Sequence, residues 1–274
     1  MSDAAPDDRL AERWKALRAA GRPALVAYVT AGHPAAAETT AFLQGAAGAG
    51  VDVVELGIPF SDPVADGPTI QASSHAALAG GMTLPGALDL LARSAAGVPV
   101  VIFSYLNPIL ARGLKRFAAE ARAAGAAGLL VTDLPAAADD AREAELGSAG
   151  LPLVRLVAPN SPPARQRAIA RRSRGFLYLV SRLGVTGERA SLPATLGPQI
   201  AALRAVTDLP IAVGFGISTE SQAAEVGRLA DGVVIGSAVV ARMQRGGAAA
   251  ALAWLRAVRA ALDGSAAASY RSRA

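Results

Sequence analysis

Short apolar runs recur along the whole chain, each followed by a longer stretch in which Ala and Leu mix with Arg, Glu and Asp at helical spacing. Eight runs have strand length and a β-branched or aliphatic bias: Ala24 to Thr30, Val51 to Gly57, Val98 to Tyr105, Ala127 to Asp133, Leu151 to Ala158, Gly175 to Ser181, Leu209 to Phe215 and Asp231 to Ser237. Several are apolar almost throughout rather than alternating, as strands buried on both faces must be. Between them, Ala87 to Ala96 and Leu114 to Gly125 read as crossover helices, the second ending on a glycine suited to a C-cap. Alternating strands and helices specify parallel strands, and eight such units predict closure into a (β/α)8 TIM barrel. A helix over Asp7 to Gly21 is extra to that count; it should cover the barrel bottom with Trp14 and Leu17. The expectation is one domain over 1–274, ordered over about 7–263, with fraying after Asp263. A doubly wound open sheet would place a glycine-rich phosphate turn after its first strand, and here that strand leads into TAGHP instead.

Composition narrows the chemistry. At 52% hydrophobic and 18% charged, the 274 residues have the make-up of a compact enzyme. The absence of cysteine rules out disulfides and thiolate metal sites and fits a reducing cytoplasm. The start MSDAAPDD is acidic, and no uncharged apolar stretch is long enough to span a bilayer, so the chain reads as soluble and cytoplasmic, without a membrane partner. The net charge of +5 comes from arginine, which supplies 25 of the 27 basic residues. The densest cluster, Arg165, Arg167, Arg171, Arg172 and Arg174, has no interleaved aromatics, so a solvated helix face is favoured over a nucleic-acid interface.

The unusual polar residues follow or end the predicted strands, which gathers them on one rim of a barrel: Thr30, Glu55, Tyr105 with Asn107, Asp133, Asn160, Ser181 with Arg182. Glycine-rich turns come after strands six, seven and eight, as Gly184 to Gly187, Gly214 to Ser218 and Ile235 to Ala238; barrels of this kind hold phosphates in the loops after strands seven and eight, and the three turns together describe a phosphate cradle. Glu55 ends a strand of buried valines, so desolvation should raise its pKa and suit it to acid/base work. Asp66 lies in the proline-restricted loop SDPVADGP; it is the functional carboxylate there, while Asp62 is read as a structural Asx turn. Two carboxylates in different environments can divide the roles of acid and base. No Schiff-base lysine is at hand, since Lys15 and Lys115 lie in helices, and His33 and His75 lack metal-ligand companions and read as surface or loop residues. Carbon–carbon cleavage here would need a substrate that carries its own electron sink, and no metal or cofactor is expected.

The run VVELGIPFSDPVADGPTIQ (Val53 to Gln71) resembles the signature of the tryptophan synthase α subunit family. TAGHP (Thr30 to Pro34), Tyr105 and Asn107 in FSYLNP, DLP (Asp133 to Pro135), YLVSRLGVTG (Tyr178 to Gly187), GFGIS and IGSA match the same family in order. The resemblance implies a lyase that performs retro-aldol cleavage of indole-3-glycerol phosphate to indole and D-glyceraldehyde 3-phosphate. It implies Glu55 as the general acid/base and Asp66 as the acceptor of the indole N–H. Tyr28, Thr30, Phe103, Tyr105, Asp133, Tyr178 and Thr186 would contact substrate, and Gly187, Phe215, Gly216, Gly236 and Ser237 would hold its phosphate. Tyr28, Phe103 and His33 depart from the commonest pattern, where Phe, Leu and Asp stand. An α2β2 complex with a pyridoxal-phosphate β subunit is also implied, with the loops after strands two and six at the contact.

Three other readings stay open at this point: another phosphate-binding barrel enzyme, an idle barrel kept as a binding partner of a β subunit, and a free-standing indole-releasing lyase. The first would need lysines or a histidine at the rim, and the second is disfavoured by an intact carboxylate pair.

Overall fold

The computed structural model describes residues 7–180, 193–214 and 216–271. Helix α1 (Arg9–Ala19) leads into β1 (Ala24–Thr30), α2 (Ala36–Gly45) and β2 (Val53–Gly57). Two helices, α3 (Pro68–Ala79) and α4 (Leu84–Ser94), precede β3 (Val100–Ser104), and two more, α5 (Leu106–Arg112) and α6 (Leu114–Ala123), precede β4 (Gly128–Val131). Single crossovers follow: α7 (Asp140–Gly147), β5 (Leu153–Val157), α8 (Pro163–Arg172), β6 (Leu177–Val180), α9 (Leu196–Arg204), β7 (Ile211–Gly214), α10 (Glu220–Gly227), β8 (Gly232–Ile235) and α11 (Ser237–Arg271). The eight strands pair in parallel in sequence order, and β8 closes on β1. This is the expected TIM barrel. No helix among the described residues is long and apolar enough to cross a membrane.

The first strand has the limits read from the sequence, whereas the others are shorter. Three of them start immediately after a proline, at Pro99, Pro152 and Pro210. A proline has no N–H to give to a ladder, so each contributes only its carbonyl, to Val54, Leu129 and Leu177 respectively. Helix α6 ends as its sequence suggests. Gly125 takes φ +95°, and the N–H groups of Gly125 and Ala126 return to the carbonyls of Arg122 and Ala121, a Schellman closure. Helix α11 continues to Arg271, past the Asp263 limit expected from composition, with a kink at Gly246 and Gly247.

Alternate residues of each strand face opposite sides, and the two faces build two cores. Outward residues such as Leu25, Ala27, Val29, Val54 and Leu56 pack against Phe42, Leu43 and the other helices. Inward residues Val26, Val53, Val101, Leu130, Val154, Phe176, Ala212 and Val234 fill the barrel, and Leu10, Trp14 and Leu17 of α1 close it from below. The Trp14 ring lies 5.1 Å from that of Phe176. It also occupies the space beside Gly232, where a Cβ would come within 2.7 Å of the indole, so only glycine admits the plug.

The same end of the barrel holds a buried charge cluster. Asp52, fully buried, accepts from Arg13 of α1, from the Leu25 N–H at 2.7 Å and from Arg259 of α11 at 3.3 Å. Arg259 also donates to the Pro23 carbonyl and to Asp263. One carboxylate thus joins the first helix, the first two strands and the last helix.

Candidate active site at the barrel mouth

With the lower half of the barrel filled by α1, the inward positions left at the C-terminal end of the strands are Tyr28, Thr30, Glu55, Gly57, Phe103, Tyr178, Gly214 and Gly236. Two tyrosines take most of the width. The Tyr28 hydroxyl lies where a Cβ at Gly57 would be, 2.1 Å away, and the Tyr178 hydroxyl does the same at Gly214, at 2.2 Å. Phe103 meets Tyr28 edge to face at 5.3 Å, and Ile70 and Val240 complete an apolar wall. The lining is of the apolar and aromatic kind that favours a planar aromatic guest.

Two carboxylates enter this wall. Glu55 is 1% exposed, its Oε1 has no hydrogen-bond partner, and desolvation pushes its pKa up to about 8. No arginine pairs with it in the ion pairs of the described residues, so it is not a rim salt bridge. Asp66, brought over the mouth by the loop between β2 and α3, is also buried, and its pKa rises to about 6. Desolvation raises it, and the Tyr105 hydroxyl, donating to Oδ2 at 3.0 Å, holds it back. Tyr105 is fixed in turn by accepting from the Ala65 N–H at 2.9 Å, and Gln71 donates to the Asp66 carbonyl at 2.9 Å.

The structure places the remaining predicted residues as follows. Thr30 is buried and shares hydrogen bonds with Tyr28 and with Ser73 of α3. Asp133 is exposed and accepts from the Leu106 N–H at 2.6 Å, which fixes the start of α5 immediately after Tyr105. Gly216 takes φ +90°, and Gly236 and Ser237 form the N-terminus of α11, whose first turn points N–H groups at the mouth. The turn after β7 is held by Gln222, which accepts from the Ser218 N–H at 2.9 Å and completes a capping box with Thr219. Thr186, Gly187 and Phe215, with Ser181, Arg182 and Gly184, lie outside the described residues. Asn107 and Asn160 are exposed.

Sequence reasoning missed Ser73. Its signal is the spacing of Ile70, Ser73, Ser74 and Ala77, a buried helix face that includes two hydroxyls. Three readings need correction. His33 lies in a loop, as read, but not on the surface: it is buried, its peptide bond to Pro34 is cis, and desolvation lowers its pKa. Asp62 makes no Asx turn and instead accepts from its neighbour Ser61. The arginine cluster is only partly a free solvated face, because Arg165 holds the Ala136 carbonyl and Arg172 pairs with Asp140 and Glu143.

A cleft of about 230 Å3 opens on the opposite end and is lined by Trp14, Arg18, Arg22, Arg204 and Arg228. Three of these arginines stand in or just past the last turns of α1, α9 and α10, where cations answer the helix dipoles. Their charge is accounted for by the fold. Among the described residues, the carboxyl groups of raised pKa are Glu55 and Asp66, both at the mouth.

Residues 14–263 match the family described as tryptophan synthase alpha chain. The tryptophan synthase alpha chain of Geobacter sulfurreducens is 48% identical over 239 residues, covering 86% of this chain and 90% of that one. That of Laribacter hongkongensis is 46% identical over 262 residues, covering 93% and 99%. Among solved structures, a tryptophan synthase of Mycobacterium tuberculosis superposes with a TM-score of 0.86 at 35% identity, covering 94% of this chain and 98% of that one. A tryptophan synthase subunit alpha of Legionella pneumophila gives 0.85 at 32% identity, covering 93% and 98%.

Proposed function

This chain belongs to the tryptophan synthase alpha chain family, and from that premise we propose how its mouth carries out the family's reaction. The reaction is the cleavage of indole-3-glycerol phosphate to indole and D-glyceraldehyde 3-phosphate in L-tryptophan biosynthesis, a carbon–carbon lyase step.

The observation that carries the mechanism is the separation of the two carboxyl groups: near pH 7, Glu55 with its pKa about 8 is protonated and Asp66 with its pKa about 6 is ionised. Glu55 donates its proton to C3 of the indole, turning the ring into an electron-accepting indoleninium. Asp66 accepts the ring N–H on Oδ1, since Oδ2 is taken by Tyr105, and stabilises the positive charge. Glu55, now a carboxylate, removes the proton from the hydroxyl beside the breaking bond. The carbon–carbon bond cleaves, its electrons return to the ring, and Glu55 ends protonated as it began. No other acid or base is required.

Tyr28, Thr30, Phe103 and Tyr178 enclose the ring and the glycerol chain in this account, and Asp133 sets the start of α5 behind Tyr105. The phosphate lies at Gly216, Gly236 and Ser237, with Gly187 and Phe215 as its further contacts, and Thr186 contacts the substrate. A Cβ at Gly236 would meet Ile70 and Tyr28 at 3.5 Å, an ordinary contact, so the fold does not require glycine there. Gly236→Ala should therefore melt like the wild type while raising KM for indole-3-glycerol phosphate about tenfold, as expected for a disturbed charge-assisted N–H contact. An unchanged KM would move the phosphate elsewhere.

The pH profile of indole release tests the acid/base assignment. Activity requires Asp66 ionised and Glu55 protonated, so kcat/KM should form a bell with limbs near 6 and 8. The Tyr105 bond lowers the Asp66 pKa. Removing it in Tyr105→Phe lets that pKa rise, so the acid limb should shift to higher pH and the alkaline limb should stay. A shift of the alkaline limb instead would reverse the two roles.

The partner in this reading is a pyridoxal-phosphate β subunit in an α2β2 assembly. Val64, 78% exposed in the loop after β2, and Leu110 of α5, 40% exposed, give the same end of the barrel apolar surface for it. The loop after β6 falls outside the described residues. We place the reaction in the cytoplasm, consistent with a chain without cysteine.

A further inference from the structure

A chain of three hydroxyls lines one side of the mouth, and its direction can be worked out. Ser73 donates to the Ile70 carbonyl at 2.8 Å. A hydroxyl has one proton, so with the Ser73 proton on that carbonyl the donor in the 2.7 Å contact between Thr30 and Ser73 is Thr30. The Thr30 proton is then committed, and in the 3.3 Å contact between Tyr28 and Thr30 the donor must be Tyr28. Burial holds the Tyr28 phenol well above its ordinary pKa, so that proton stays in place. The hydroxyl sits at the level of the paired residues Thr30 and Gly57, one inward position above Glu55. Its lone pairs are the hydrogen-bonding capacity it offers the mouth.

We propose that Tyr28 is a specificity-determining residue that makes this indole pocket an acceptor site, favouring an indole whose six-membered ring carries a hydrogen-bond donor such as a hydroxyl. The proposal rests on the reading that the mouth binds indole. The direction of the chain distinguishes it from a merely polar wall: Tyr28 accepts from the guest and does not donate to it. Phenylalanine at this position would keep the edge-to-face contact with Phe103 and lose the acceptor.

The test is the reverse reaction, in which C3 of an indole adds to the aldehyde carbon of D-glyceraldehyde 3-phosphate with no other reactant. Hydroxyindoles substituted at each carbon of the six-membered ring are compared with the matching fluoroindoles, which are similar in size and carry no donor. The readout is the hydroxy-to-fluoro ratio of kcat/KM in wild type divided by that in Tyr28→Phe, in which the substituent's own effect on ring reactivity cancels. At one ring position this quotient should reach about tenfold, the worth of one neutral hydrogen bond. Methoxyindoles, whose oxygen can accept but not donate, should give a quotient near unity in the same comparison. A quotient within about twofold of unity for the hydroxyindoles at every position would overturn the proposal, as would an equal quotient for the methoxyindoles. Failure of the wild type to condense unsubstituted indole would instead overturn the lyase reading itself.

Discussion

Replacing Glu55 by Gln should lower kcat for indole release about a thousandfold or more, since one group moves both protons, and should at the same time make the protein more heat-resistant at alkaline pH. The second effect follows from linkage. A carboxyl with a folded pKa about 8 and an ordinary value of 4.5 binds its proton more tightly when folded. Stability therefore falls as pH rises between those values and is lowest above about 8, where a buried carboxylate costs up to about 5 kcal/mol. Glutamine carries no such cost. The melting temperature of Glu55→Gln should exceed that of wild type at pH about 9 and match it near pH about 4. A residual kcat within tenfold of wild type would mean that another group moves the protons. An equal thermal gain at both pH values would mean that the Glu55 charge is not its source.

The second large effect concerns the opposite end of the barrel. Asp52→Asn keeps the shape of a fully buried carboxylate and removes its charge, leaving Arg13 without its carboxylate partner and the 8%-exposed Arg259 side chain with Asp263 alone. Breaking a buried pair in this way costs about 3–5 kcal/mol, which for a chain of this length lowers Tm by roughly 10 °C. Activity per folded molecule at 25 °C should stay near wild type, because the cluster lies on the far side of the α1 plug from the mouth. A Tm within about 2 °C of wild type would show that the arginines find other partners without loss.

The barrel was legible because its strands are buried on both faces and its helices are not. Strand limits were less so, since Val98, Leu151 and Leu209 look like strand residues until the proline after each is considered as a missing donor. Glu55 could be placed at the mouth from the period of two along its strand alone. Its partnership with Asp66 through Tyr105 could not, because Asp66 and Tyr105 lie 39 residues apart and meet only when β2 and β3 pair. Burial of His33 was hidden for a similar reason: TAGHP is a loop by composition, and nothing local says that it folds inward. Arg155 is the clearest case of a residue that the pattern misrepresents. It interrupts the apolar run LPLVRLVA, yet it is 4% exposed, held by Glu143 at 2.9 Å and by the Leu134 carbonyl at 2.9 Å. A strand residue facing the helices is expected to be apolar, and only the acidic side chain supplied by α7 makes this exception affordable.

The two tyrosine hydroxyls that occupy the Cβ positions of Gly57 and Gly214 make the width of the mouth a property of residue pairs. Evolution cannot alter either member freely. A methyl group at Gly57 collides with Tyr28, whereas trimming Tyr28 first opens the room that the methyl group would fill. The order of substitution therefore decides which routes to a wider or narrower pocket are passable, and the same epistasis binds Tyr178 to Gly214. As long as the tyrosines stand, the fold requires the two glycines for space alone, whether or not either touches substrate.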